Sequence, residues 1–219
     1  MAATKANGNA RPPEKIQRLV IDKNGDIVVR IAADGGFETG LFLVCSRTLR
    51  RASTMWDRVI PTLALTTSGR MFYQLNEDGL HWPIFQMLMH ICHGHFDKVP
   101  PVLAVERLWL LVRAAEKLEM TAVLRPWASS WLSGIRMRGM RSHSLEAASQ
   151  TAGISWALGD LALFTSATDR LIIEVDEDED GDLIDPKDST LLENSLKFPN
   201  DLHGKRSPSL LVAYSGWVD

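Results

Sequence analysis

The sequence predicts an α+β fold: a small, mainly antiparallel sheet packed against a helical cluster, with a helical C-terminal extension. Three observations predict it. Short runs rich in Val, Ile and Phe fill the region before Cys45 and are separated by turn signals. From Ser46 onward, apolar residues recur at helical spacing in several successive segments. Between the first two of these sits one short strand-like run, MFYQL (71–75).

Residues 1–14 are small, polar and proline-containing, and are expected to form a disordered leader. Leu19–Asp22, Ile27–Ile31 and Phe37–Val44 read as three strands of an antiparallel meander. Asn24-Gly25 and Asp34-Gly35-Gly36 supply its turns, because Asn-Gly between apolar runs accepts the positive φ of a tight hairpin. Ser46 is a good N-cap for a helix carrying Leu49, Ala52, Trp56 and Val59 on one face, which Pro61 stops. A second helix spans 82–93, with Pro83 in its first turn, an apolar stripe of Phe85, Leu88, Met89 and Cys92, and Gly94 as its stop. HFDKVPP is an extended connector. The longest helical signal runs over 103–120, and another helix over 121–132 has Pro126 near its start. Residues 133–144, with two glycines and four basic side chains, read as a linker. Residues 145–194 form an extension, helical in two pieces over 145–175 and then an acidic hairpin; 195–219 is a weakly structured tail.

Composition narrows the class. Hydrophobic residues make up 45% of the 219 and charged residues 23%, which is globular usage, and a net charge of −3 gives no basic bias toward nucleic acid. Cys45 and Cys92 are too few for a disulfide framework and suit a reducing compartment. The first residues lack a signal-type apolar run and no stretch reaches a membrane span, so cytoplasm or nucleus is expected, with no membrane partner.

Four constellations carry potential chemistry. His90, Cys92, His93 and His95 are zinc-type ligands crowded on one helix end. A structural zinc site draws two ligand pairs from separate places, and no second pair lies nearby in sequence. The expectation is packing: Cys92 buried, His93 and His95 at or near the surface, and no metal. A metal-dependent enzyme using His90, His93 and His95 is the remote alternative. DEDEDGDLIDPK (176–187) imitates a calcium loop through Asp176, Asp178, Asp180, Gly181 and Leu183, but Lys187 stands where the bidentate Glu belongs. Arg47, Arg50 and Arg51, and the later RMRGMR, could meet phosphate; a solvated face is the plainer reading, and no nucleic-acid partner is expected. No nucleophile elbow, phosphate loop or His-Glu-x-x-His motif is present, so no catalytic residue, cofactor or small-molecule substrate is assigned. Trp82, Trp109, Trp127, Trp131 and Trp156 fall on predicted helices and most are expected in the core.

Several fragments in order resemble one family, the BTB/POZ domains. In FLVCSRTLRRASTMW, Phe42, Leu49, Ser53 and Trp56 stand at the spacings of that family's strand-to-helix signature. FQMLMHICHG resembles its helix end Phe-x-x-Leu-Leu-x-x-Ile-Tyr-x-Gly through Phe85, Leu88, Ile91 and Gly94. LVRAAEKLEM resembles its Ala-Ala-Asp-Lys-Tyr-x-Met helix through Ala114, Ala115, Glu116, Lys117, Leu118 and Met120, and Asp26 matches the Asp opening an early strand. FLVCSRTLRRAS and LRPWASSWL are most similar to the BTB-like group common in filamentous fungi. The resemblance covers residues 18–132 and extends more loosely to about 190. Cys45-Ser46 replaces the family's His-Lys-like pair, Cys92-His93 replaces Tyr-Thr, and the amphipathic first helix of long members is not evident in 1–17.

The resemblance implies a non-catalytic protein–protein interaction module that mediates oligomerisation or adaptor binding. Its implied partners are a second copy or a cullin-type ubiquitin ligase scaffold. A transcription- or chromatin-associated oligomerisation factor is the alternative. The surface between the helices at 82–93 and 103–120 is the expected docking groove.

Overall fold

The computed structural model describes residues 15–32, 38–75, 80–138, 144–177 and 183–187. The chain divides into two compact units, with the boundary between Phe96 and Asp97. That boundary lies inside the 18–132 span expected to act as one domain. The leader, the Asp34-Gly35-Gly36 turn, Asp178, Asp180 and Gly181, and the 195–219 tail lie outside the described residues.

The first unit holds β1 (Lys15–Val20), β2 (Ile27–Ala32), β3 (Glu38–Val44), α1 (Ser46–Ala52), α2 (Thr54–Val59), β4 (Met71–Leu75) and α3 (Trp82–Cys92). Its sheet has the order β1-β3-β2-β4. The pair β2–β3 is antiparallel as expected, with Val29 opposite Phe42 and Ile27 opposite Val44. The meander and the mainly antiparallel sheet need correction. β1 pairs with β3 in parallel, and β2 pairs with β4 in parallel, so the sheet is mixed.

The cause lies at Asn24-Gly25, where neither residue takes positive φ. Asp22 makes the turn instead: its carboxylate accepts from the Asn24 amide at 2.8 Å and its carbonyl from the Gly25 amide at 3.0 Å. The amides of Ile21 and Asp22 both donate to the Leu43 carbonyl, which ties the end of β1 to β3 rather than to β2. Gly25 is needed for close approach, since a Cβ there would stand 2.7 Å from the Val44 carbonyl oxygen.

Alternation along the strands builds the core. Ile27, Val29 and Ile31 of β2 and Phe42 and Val44 of β3 are buried, as are Leu49 and Trp56. Phe42 meets Phe85 of α3 edge to face at 5.0 Å, and Trp56 meets Tyr73 of β4 at 5.1 Å. The single helix expected from Ser46 is two. Ser53 turns extended (φ −150°, ψ 129°) and its hydroxyl accepts from the Trp56 amide, capping α2.

The second unit is helical: α4 (Val105–Lys117), α5 (Arg125–Arg138), α6 (Leu145–Leu158) and α7 (Leu161–Glu174), then a two-stranded antiparallel ladder of β5 (Asp176–Glu177) and β6 (Leu183–Ile184). The HFDKVPP connector carries a 3-10 turn at Phe96–Lys98 rather than being extended throughout. α5 corrects the expected 133–144 linker by running through Gly134 to Arg138. Its stripe of Trp131, Leu132 and Ile135 is buried, which outweighs about 1 kcal/mol for a helical glycine. α5 also satisfies the proline-rich connector: the Trp131 indole N–H donates to the Pro100 carbonyl at 2.9 Å and the Ser130 hydroxyl to that of Pro101 at 2.7 Å. α6 and α7 form a tight hairpin. Gly159 takes φ 78°, and Asp160 caps α7 by accepting from the Leu163 amide. Leu145, Ala148 and Ala152 of α6 pack against Phe164, Ala167 and Leu171 of α7. Among the described residues no helix is long and apolar enough to cross a membrane.

Candidate functional site

The family-like residues of the first unit meet where β2, β3, α1 and α3 converge. α1 starts with its first amides unpaired, as every helix does. Cys45 holds the N-cap position but its side chain makes no cap bond. Asp26 does that work from the start of β2. Its carboxylate accepts from the Ser46 amide and from the Ser46 hydroxyl, each at 2.7 Å. Ser46, expected as the N-cap, is therefore the first helical residue and is capped from a distance. Partial burial alone would push the Asp26 carboxyl up; the Ser46 amide and hydroxyl, its own amide and the Arg47 charge offset this and hold it below the usual range.

The histidines follow from how α3 ends. The Gly94 amide donates to the Ile91 carbonyl and the His95 amide to the His90 carbonyl, with Gly94 at φ 74°. This is a Schellman ending, which brings the side chains at its two ends together, commonly as an apolar contact. Here both are histidines. His90 Nδ1 and His95 Nδ1 lie 3.0 Å apart, so one ring N–H donates to the other's bare nitrogen.

His93 has another task. Its Nδ1 lies 2.9 Å from the Met89 carbonyl and its Nε2 3.1 Å from the Cys45 amide nitrogen. The carbonyl can only accept and the amide can only donate. His93 is thus the neutral tautomer protonated at Nδ1, and it ties the end of α3 to the start of α1. Burial lowers its pKa, which outweighs the raising effects of the Met89 carbonyl and the Asp22 charge; His95 lowers it further. Sequence reasoning placed His93 near the surface. It is half-buried with both nitrogens engaged, and no local pattern announces a partner 48 residues away.

Cys92, expected to be buried, keeps partial exposure; its desolvation still pushes the thiol up to about 12. It stays protonated at neutral pH, unlike a ligand or nucleophile thiolate. Among the described residues no group of three or more His, Cys, Asp or Glu side chains is placed to hold a metal ion. Of the calcium-like loop, Asp176 and Leu183 belong to β5 and β6, and the Lys187 amide donates to Asp185 in a local turn.

The motif residues are structural in position. Phe42, Leu49, Trp56, Phe85 and Leu88 are fully buried, Ile91 nearly so, and Ser53 and Gly94 form helix boundaries. In the second unit, Ala114, Ala115 and Met120 end α4. The Leu118 amide donates to the Ala114 carbonyl, and the Met120 amide to that of Ala115, with Glu119 between them at φ 53°. Glu116 faces Arg113 at 3.1 Å; burial raises its carboxyl more than Arg113 lowers it. Trp109 and Trp131 are core residues, while Trp82, Trp127 and Trp156 keep partial exposure. α3 lies in the first unit and α4 in the second. In comparison with known proteins, the chain matches no family model and no curated protein.

Proposed function

We propose that this chain is a non-catalytic protein–protein interaction module of the BTB/POZ kind, acting by self-association or as an adaptor for a cullin-type scaffold. The observation that carries the reading is the contact of Phe42 with Phe85. Two separate family-like fragments, one on a strand and one on a helix, supply the two halves of one aromatic pair at 5.0 Å. The order of elements in the first unit, strands then helix, strand and helix, runs in the same direction. So does the chemistry of the histidine end, where His93 joins the Met89 carbonyl of α3 to the Cys45 amide at the start of α1.

The surface supports a module that works by contact. β1 is an edge strand, and Ile16 and Val20 on it are 49% and 66% exposed. The backbone edge of β1 is a template for pairing with a second copy, with Ile16 and Val20 flanking the exposed Arg18 on one face. Size-exclusion chromatography with light scattering tests this on the purified chain. The reading expects a dimer or larger, and expects Val20→Lys to shift it toward monomer. A monomer at all concentrations that also fails to bind a purified cullin N-terminal domain would overturn it.

A further inference from the structure

The break at Ser53 places α2 beside α1, and at that junction Asp57 meets the arginine face of α1. Arg47, Arg50 and Arg51 stand at i, i+3 and i+4, on one side of the helix and exposed. With Asp57 they line a shallow, open patch of the surface. Asp57 accepts from Arg50 Nε at 2.7 Å. That bond uses Nε, and among the described residues the terminal N–H groups of Arg50 make no other hydrogen bond. The Arg47 charge acts on Asp26, and Arg51 makes no ion pair among the described residues. Arg47 repels both Arg50 and Arg51 at these spacings, and an anion placed among the three relieves that repulsion.

The lining sums to two positive charges, three arginines against one aspartate. A phosphate monoester carries close to two negative charges and three acceptor oxygens, which match forked guanidinium donors better than one carboxylate does. The arginines lie on one seven-residue helix, a patch that spans one such group and not a track of them. We infer that the Arg47–Arg50–Arg51 face binds the phosphate of a phosphorylated serine or threonine segment of a partner protein. This names a partner chemistry for the interaction reading above and stands apart from self-association.

The test is an NMR titration of the full chain, following the arginine Nε–H resonances, with a short Gly-Ser peptide carrying one phosphoserine. Saturable shifts at Arg47, Arg50 and Arg51 are expected, and none with the unphosphorylated peptide. Arg47→Gln and Arg51→Gln should each weaken binding about tenfold, while Arg18→Gln on β1 leaves it unchanged. Circular dichroism of each variant shows that it folds. Equal shifts with a glutamate peptide, unchanged binding in the Arg47→Gln/Arg51→Gln double variant, or no saturation would overturn the inference. So would a single-stranded oligonucleotide that occupies the same resonances more tightly than the phosphopeptide. The oligomeric state and cullin binding are read in separate experiments, so failure here leaves those outcomes to decide the broader reading.

Discussion

Replacing Asp26 with alanine removes the distant cap of α1. Two hydrogen bonds of 2.7 Å are lost, both from Ser46, a residue 6% exposed whose amide then has no acceptor. A lost N-cap costs about 0.5–2 kcal/mol, and bonds to a charged group reach about 1.5–3. Asp26 is itself exposed, so solvent screens the charge and the estimate settles at about 2 kcal/mol. Asp26→Asn keeps one acceptor and should cost about half as much. The assay is hydrogen–deuterium exchange at the amides of α1, where about 2 kcal/mol appears as roughly thirtyfold faster exchange. The pH dependence has a fixed sign. The folded Asp26 carboxyl lies below its ordinary 3.8, so its contribution is full above that pH and is lost as pH falls through the folded value. Wild type and Asp26→Asn should therefore differ most at neutral pH and converge in acid. Unchanged exchange over 46–52 in Asp26→Ala, or an equal acceleration in α6, would refute the reasoning.

Other variants probe the same account. His93 has a folded pKa below 6.5, so its contribution is present above that pH and is lost as pH falls toward the folded value; His93→Gln should flatten this part of the urea midpoint against pH between 7.5 and 5, and an unchanged slope would contradict the assignment. A Cβ at Gly153 would stand 2.4 Å from the Trp109 ring, so Gly153→Ala should cost about 1–3 kcal/mol by urea unfolding, and Trp109→Leu in the same chain should reduce that cost. The Ser149 hydroxyl is fully buried in α6 and makes no hydrogen bond among the described residues; Ser149→Ala should raise the unfolding free energy by about 0.5–1 kcal/mol, and a loss would show that the hydroxyl is satisfied.

The stop at Gly94 was legible in the sequence, while the Ser46 cap, the Ser53 break and the end of α5 were not. Gly94 takes positive φ, which only glycine adopts cheaply, so it marks its stop locally. The two helical pieces over 145–175 and the short strand at 71–75 appear in the structure as α6, α7 and β4. The strand order was not legible, because Asn24-Gly25 carries a hairpin signal while serving close approach to Val44. Ser53 as a cap could have been read from its hydroxyl three residues before Trp56, had the apolar stripe not suggested one continuous helix. α5 ran past Gly134 because Ile135 finds a buried place, which composition does not report. The site was half legible. Asp26 and Gly94 were named, but the cap on Ser46 and the bond from the Cys45 amide to His93 join residues far apart in sequence.

The most direct test of the central claim is affinity purification with mass spectrometry from native cells carrying two differently tagged copies of the chain. The account predicts recovery of the second copy, or of a cullin scaffold, in near-stoichiometric amount. Recovery of the bait alone, with neither, would contradict it.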